Sequence, residues 1–270
     1  MKTMLGDRMT RTPIALLLVG LLLPSIGWAQ GLATVAPTSV GLSEERLDRL
    51  AAIVQGYVDD QAIAGAVTLV ARRGRQAHIR AYGMADREAG TPMRPDNIFR
   101  IASMTKPITS VAVLMLYEEG HFKLNDPIGQ YLPALASLDV LTASDDGDTF
   151  MRVPAERPVT IRHLLTHTSG IGYRFLGDLG GTPRLRALAE LYGEAGVADG
   201  LAEHDGTIEE LVNRLGDLPL LHEPGAAFSY GLSDDVLGRL VEVVSGTTFD
   251  EFLRTRLFEP LGMDDTFFYI

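Results

Sequence analysis

The sequence predicts a mixed α/β (α+β) fold, and three observations predict it. Two strand-like runs, residues 66–71 and 76–83, flank Arg73-Gly74 and read as an antiparallel hairpin. Residues 103–119 read as a helix with the centre Val111-Ala112-Val113-Leu114-Met115-Leu116. That centre is apolar nearly all round, the pattern of a helix buried in the middle of a domain. The third observation is a train of capped helical segments after residue 160 with no strong strand signal among them.

The N-terminus carries a different signal. Lys2, Arg8 and Arg11 precede the apolar run from Ile14 to Leu23, followed by Pro24, Ser25, Gly27 and Ala29. A basic region, a short apolar region and small residues before the cut describe a signal peptide at residues 1–29, with the domain running from 30 to 270. A helix over that run is about 15 Å long, too short for a hydrocarbon core of about 30 Å. The expected location is therefore periplasmic or secreted, with no membrane span after cleavage.

Ser43, followed by Glu44 and Glu45, caps a helix with the stripe Leu47, Leu50, Ala51, Val54, Tyr57 and Val58. After the hairpin, a loop with Pro92 and Pro95 leads to the apolar helix, which Gly120 ends. Residues 144–148 are an Asp-rich loop, and Thr160 caps a short helix through Ile161, Leu164 and Leu165. A helix is expected over residues 183–192, and Thr207 with Glu210 forms a capping box for the next. Ser233 caps another, with Val236, Leu237, Leu240, Val241 and Val244 inward and Gly246 at its end. Thr248 caps the last, which Pro260 closes, and residues 266–270 are strand-like.

Composition excludes whole classes of chemistry. The chain has no Cys, so thiolate zinc sites, iron–sulfur clusters, disulfides and Cys nucleophiles are ruled out together. Its net charge of −11 is a poor match to a phosphate backbone, so no nucleic-acid partner is expected. There is no G-x-S-x-G, no P-loop and no G-x-G-x-x-G. His163 and His167 have a zinc-like i,i+4 spacing, but Leu164 stands where a metalloprotease places Glu and no third ligand follows. No metal and no organic cofactor are expected.

The residues that can carry chemistry are Ser103, Lys106 and Tyr230. Ser103-Met104-Thr105-Lys106 opens the apolar helix. Positions i and i+3 share a helical face, which lets the amine reach the hydroxyl. The helix start adds free N–H groups and partial positive charge that suit an oxyanion. A Lys amine kept neutral by burial and the helix end would accept the Ser proton. Alone, the same tetrapeptide also describes a capping Ser and a solvated Lys. A solvated Lys is out of place, however, between a strand-like run and an apolar helix. Lys is scarce in this chain, with only Lys2, Lys106 and Lys123 against 21 Arg. Tyr230 lies in a loop before a helix, where a phenol can carry a proton or simply pack.

Five ordered motifs together are distinctive. They are Phe99-Arg100-Ile101-Ala102-Ser103-Met104-Thr105-Lys106-Pro107, Leu124-Asn125-Asp126-Pro127-Ile128, Leu164-Leu165-Thr166-His167-Thr168-Ser169-Gly170, Pro224-Gly225 with Phe228 and Tyr230, and Phe258-Glu259-Pro260-Leu261-Gly262-Met263. From about residue 40 to the end, the chain resembles the serine β-lactamase and penicillin-binding-protein-like hydrolases, nearest the class C and esterase-like branch. The resemblance implies a β-lactamase/transpeptidase-like fold, an antiparallel sheet flanked by helices plus a helical region over about residues 120–225. It implies an acylated Ser103, Lys106 as base partner and Tyr230 as the Tyr of the family's Tyr-x-Asn motif. An exported enzyme acting on a small-molecule ester, amide or lactam follows, as does an oxyanion donor in the Ser103 N–H. A non-catalytic relative that binds peptide or cell-wall ligands is the alternative.

The sequence departs from the family pattern in two places. Leu232 stands where the family has an amide, which favours an esterase. No Lys or His follows His222, so the family's third motif has no counterpart. The last sheet strands and a second oxyanion N–H are expected to be missing, as in a C-terminally truncated enzyme. Little or no turnover is therefore expected of the 270-residue chain alone.

Overall fold

The computed structural model describes residues 31–144, 149–198 and 206–268. The expected signal peptide, residues 145–148 of the Asp-rich loop, His204-Asp205 and Tyr269-Ile270 lie outside the described residues. Among the described residues, no helix is long and apolar enough to cross a membrane.

Helix α1 (Glu44–Asp59) begins where Ser43 accepts a hydrogen bond from the Arg46 N–H. Strands β1 (Gly65–Arg72) and β2 (Arg75–Asp86) form the expected hairpin, in a register that sets Val67 opposite Ala81 and Leu69 opposite Ile79. β3 (Thr91–Pro92) adds a short third strand to β2. The α1 stripe is only partly covered: Ala51 is buried, whereas Tyr57 is exposed. A hairpin this small gives α1 too little surface to lie against.

A second hairpin, β4 (Asp139–Ala143) with β5 (Phe150–Pro154), brackets the Asp-rich loop. The sequence reading found the loop and missed its strands. Each is five residues long and interrupted by charge at Asp139 or Arg152. A strap at Leu220 extends this pair, donating to Asp139 O at 2.7 Å and accepting from the Leu141 N–H at 2.8 Å.

Helix α2 (Thr105–Glu118) follows a 3₁₀ turn, Ala102–Met104. Pro107 falls in the first turn of α2, where its missing N–H costs no intrahelical bond. The expectation of burial all round is corrected here. Thr109, Ala112, Val113 and Leu116 are buried, but Val111, Leu114 and Tyr117 are exposed, because α7 covers one face.

The central helix is α7 (Ser233–Ser245), with Val236, Leu237, Leu240 and Val241 fully buried. Full burial of each such side chain is worth roughly 1.5–3 kcal/mol. Helices α3 (Ile161–Leu165) and α6 (Ile208–Gly216) pack against α7, while α4 (Arg174–Asp178) and α5 (Pro183–Glu194) pack on each other. Thr160 caps α3 and Thr207 caps α6, each in a capping box.

Three end assignments are corrected. Ser233 is inside α7 rather than its cap, and its hydroxyl instead meets the Ser169 hydroxyl at 2.9 Å in the core. Pro260 does not close a helix. α8 (Phe249–Leu253) runs through a π-helical turn, Arg254–Phe258, into α9 (Glu259–Leu261), where Pro260 sits in the first turn and Gly262 (φ 65°) ends it. Residues 266–268 form no strand.

Candidate active site

Ser103 sits in the 3₁₀ turn ahead of α2, and Ala102 before it has φ 44°. A non-glycine residue in the left-handed region is strained, by about 1–3 kcal/mol, and such residues cluster at functional sites. The turn's first backbone bond is Met104 N–H to Ile101 O at 2.9 Å. The Ser103 N–H precedes it in the first turn, where helical N–H groups have no intrahelical partner. Ser103 itself is exposed.

Tyr230 arrives from the loop before α7 and donates its phenol hydrogen to Ser103 Oγ at 2.7 Å. Two backbone bonds stitch this loop to the segment after α3: Ser229 N–H to His167 O at 2.7 Å and Leu232 N–H to Gly172 O at 3.4 Å. Gly231 makes that approach possible, since a Cβ there would collide with Ile171 O and the Gly172 backbone.

Lys106, one turn into α2, donates from Nζ to Tyr173 Oη at 2.8 Å. The ammonium lies 5.3 Å from the Tyr173 ring centre and 5.1 Å from that of Tyr230, within cation–π range. Asp234, in the first turn of α7, brings Oδ2 to 3.7 Å from Lys106 Nζ and 3.2 Å from His167 Nε2. The His167 ring packs on Tyr230 at 5.0 Å and on Phe228 at 5.8 Å. His167 has φ 51°, a second strained residue in this cluster.

The three residues expected from sequence therefore converge. One property expected of them does not hold. Burial does push the Lys106 amine down, but the Tyr173 hydrogen bond and the charges of Tyr173, Asp234 and Tyr230 outweigh it. The net direction is upward, so Lys106 is an ammonium at neutral pH rather than a ready base. Burial pushes the Tyr173 phenol up, against the pull of Lys106, so it stays protonated as well.

Sequence reading missed Tyr173 and Asp234, and it weighed His167 only as a metal ligand. The Leu-Thr-His-Thr-Ser-Gly run and the Asp four residues after Tyr230 were the available signals. His163, the other half of the zinc-like spacing, closes the α3 capping box by accepting from the Thr160 N–H at 3.3 Å. Among the described residues, no three His, Cys, Asp or Glu side chains group to hold a metal ion. Leu232, at the place of the family's amide, is buried in the core.

Residues 50–270 match the Beta-lactamase family. The chain is 38% identical over 234 residues to Esterase EstB of Burkholderia gladioli, a match covering 86% of this chain and 54% of the relative. It is 33% identical over 218 residues to lovastatin esterase of Penicillium rubens, covering 80% of this chain and 51% of the relative. Among solved structures, EstCE1, a hydrolase with promiscuous acyltransferase activity, superposes with a TM-score of 0.66 at 33% identity, over 80% of this chain and 51% of its own. The chain spans about half the length of the curated relatives it matches.

Proposed function

The chain belongs to the Beta-lactamase family, and we propose from that premise that it is a serine hydrolase of the esterase type, forming an acyl-enzyme on Ser103. The observation that carries the reading is the 2.7 Å hydrogen bond between Tyr230 and Ser103 Oγ, with the Lys106 ammonium beside the Tyr230 ring.

Tyr230 as phenolate is the general base in this reading, and Lys106 lowers the cost of its negative charge. As Ser103 Oγ attacks the acyl carbon, its proton passes to Tyr230 Oη. The Ser103 N–H faces the oxyanion that forms. Tyr230 then returns the proton to the leaving alkoxide as the C–O bond breaks. Water reverses the sequence to free the acid. Positioned proton transfer of this kind contributes about 10²–10⁴-fold.

Esters are favoured over β-lactams for two reasons. The amide of the family's second motif is replaced by buried Leu232, and the relatives include proteins called esterases. The substrate class in this reading is a small-molecule ester, and the signal-peptide-like residues 1–29 support a location outside the cytoplasm. Intact-mass measurement of the chain after incubation with an activated acetyl ester, and with a penicillin, tests the reading. A mass gain from the ester in the wild type and none in Ser103→Ala is expected. Equal labelling of both, or none of either, would overturn it in favour of the non-catalytic alternative.

A further inference from the structure

We propose that Asp234 is a positioning residue of this site: its buried carboxylate is the counter-charge that holds Lys106 as an ammonium within reach of Tyr230, and His167 pins that carboxylate in place. The inference deepens the serine-hydrolase reading and rests on it.

Lys106 is poorly placed to keep a charge unaided. Its side chain is 16% exposed and Asp234's is 10% exposed, so both are largely stripped of water. A desolvated ammonium gives up its proton unless a nearby charge or hydrogen bond offsets the loss. The groups facing it come from three elements: Tyr173 ahead of α4, Tyr230 ahead of α7, and Asp234 on α7 itself. Burial keeps Tyr173 a protonated phenol, and Asp234 supplies the carboxylate that faces Lys106 among these groups.

The geometry of the carboxylate suits that role. Asp234 Oδ2 is buried and has no hydrogen-bond partner among the described residues. Its contacts to His167 at 3.2 Å and Lys106 at 3.7 Å are ion-pair distances without hydrogen-bond alignment. The hold on Lys106 is therefore coulombic, and Lys106 keeps its directed bond for Tyr173. His167 Nδ1 is also buried without a hydrogen-bond partner, and Nε2 is the ring nitrogen that faces Asp234. The strained backbone of His167 and its stacking on Tyr230 and Phe228 hold the ring in that pose. An acidic residue in the first turn of a helix also interacts with the helix dipole. That role alone leaves the proton affinity of Lys106 unaffected by the carboxylate, so a titration separates the two.

The test uses the full chain labelled with ¹³C at the lysine ε carbons, where the three lysines give three signals. Lys106 is assigned by its loss in Lys106→Met. The wild-type Lys106 midpoint is expected above the ordinary lysine value. Asp234→Asn is expected to lower it by about one pH unit, a tenfold change in proton affinity, and Asp234→Glu to restore most of the shift. The alkaline limb of the Ser103 acylation rate should move by the same amount. An unchanged midpoint in Asp234→Asn would overturn the proposal.

Should Asp234→Asn not fold, stability decides. Lys106→Met strands a buried carboxylate, so adding Asp234→Asn to it should raise the melting temperature of the single variant. A double variant no more stable than Lys106→Met would contradict the pairing. The two readings fail separately: an unacylated wild type sinks the hydrolase reading, whereas acylation with no titration shift sinks only the role of Asp234.

Discussion

Along α7, Val236, Leu237, Leu240 and Val241 are fully buried, whereas on the β1–β2 hairpin Leu69 stands 52% exposed and Met84 41% exposed. Both regions are rich in apolar residues. They differ in what lies against them. α7 is flanked by α2, α3, α6 and α8, but among the described residues the hairpin has α1, the two-residue β3 and the 3₁₀ turn Pro37–Val40. Every group of the candidate site hangs from the packed region: Ser103 and Lys106 at the head of α2, Asp234 at the head of α7, and His167, Tyr173 and Tyr230 on loops tied to them. Interiors packed to native density deform little. The reactive groups are thus attached to the more densely packed of the two regions, and the hairpin contributes none of them.

The largest expected effect probes that difference directly. Leu237→Ala, at a fully buried position, should cost about 2–5 kcal/mol of unfolding free energy. Leu69→Ala, on the open face, should cost less than about 1 kcal/mol. Chemical denaturation of the two variants measures both, and equal costs would break the comparison.

Next in size is the stitch between the Tyr230 loop and the α3 segment. Gly231→Ala puts a methyl group into the Ile171 carbonyl and should displace Tyr230. Misplacement by about 1 Å can cost on the order of 10²-fold in rate, so acylation of Ser103 should slow by about that factor in stopped-flow assays.

A smaller loss is expected from Thr160→Ala, which removes the cap and half of the α3 capping box. It should cost about 1 kcal/mol in denaturant titration.

The smallest effect compares the two regions through histidine. Burial holds both His78, on the hairpin, and His163, at α3, below the ordinary imidazole value of 6.5. A depressed folded value means that the unfolded chain binds the proton first as pH falls. The stability each contributes is therefore complete above about pH 6.5 and is lost as pH drops through the folded value. Melting temperatures at pH 7.5 and 5 should show a fall that is reduced in His78→Gln and in His163→Gln. A fall unchanged in both would assign the acid sensitivity elsewhere.

What could be read from the sequence follows the range of the interaction involved. Ser43, Thr160 and Thr207 cap their helices through bonds three residues away, and those starts are visible in a short window. Ser233 looks like the same signal and is not, because its partner is Ser169, 64 residues distant. The apolar surround of Lys106 is visible in its own neighbourhood, so a depressed amine was the natural expectation. The Tyr173 hydroxyl and the Asp234 carboxylate, which tip the balance upward, come from distant parts of the chain. The face of α2 left open at Val111, Leu114 and Tyr117 depends likewise on which helix covers it, which no local pattern records. Ser103, Lys106 and Tyr230 were legible as a set of motifs, while Tyr173, Asp234 and the part played by His167 needed the fold.

The central claim is that Tyr230 exchanges a proton with Ser103 across their 2.7 Å hydrogen bond. The most direct test is the rate at which an activated acetyl ester acylates Ser103 in Tyr230→Phe compared with the wild type, followed by intact mass over time. The Phe variant keeps the ring stacked beside His167 and Tyr173 and removes only the hydroxyl. The account predicts a fall of about 10²-fold or more. A Phe variant that acylates at the wild-type rate would contradict it.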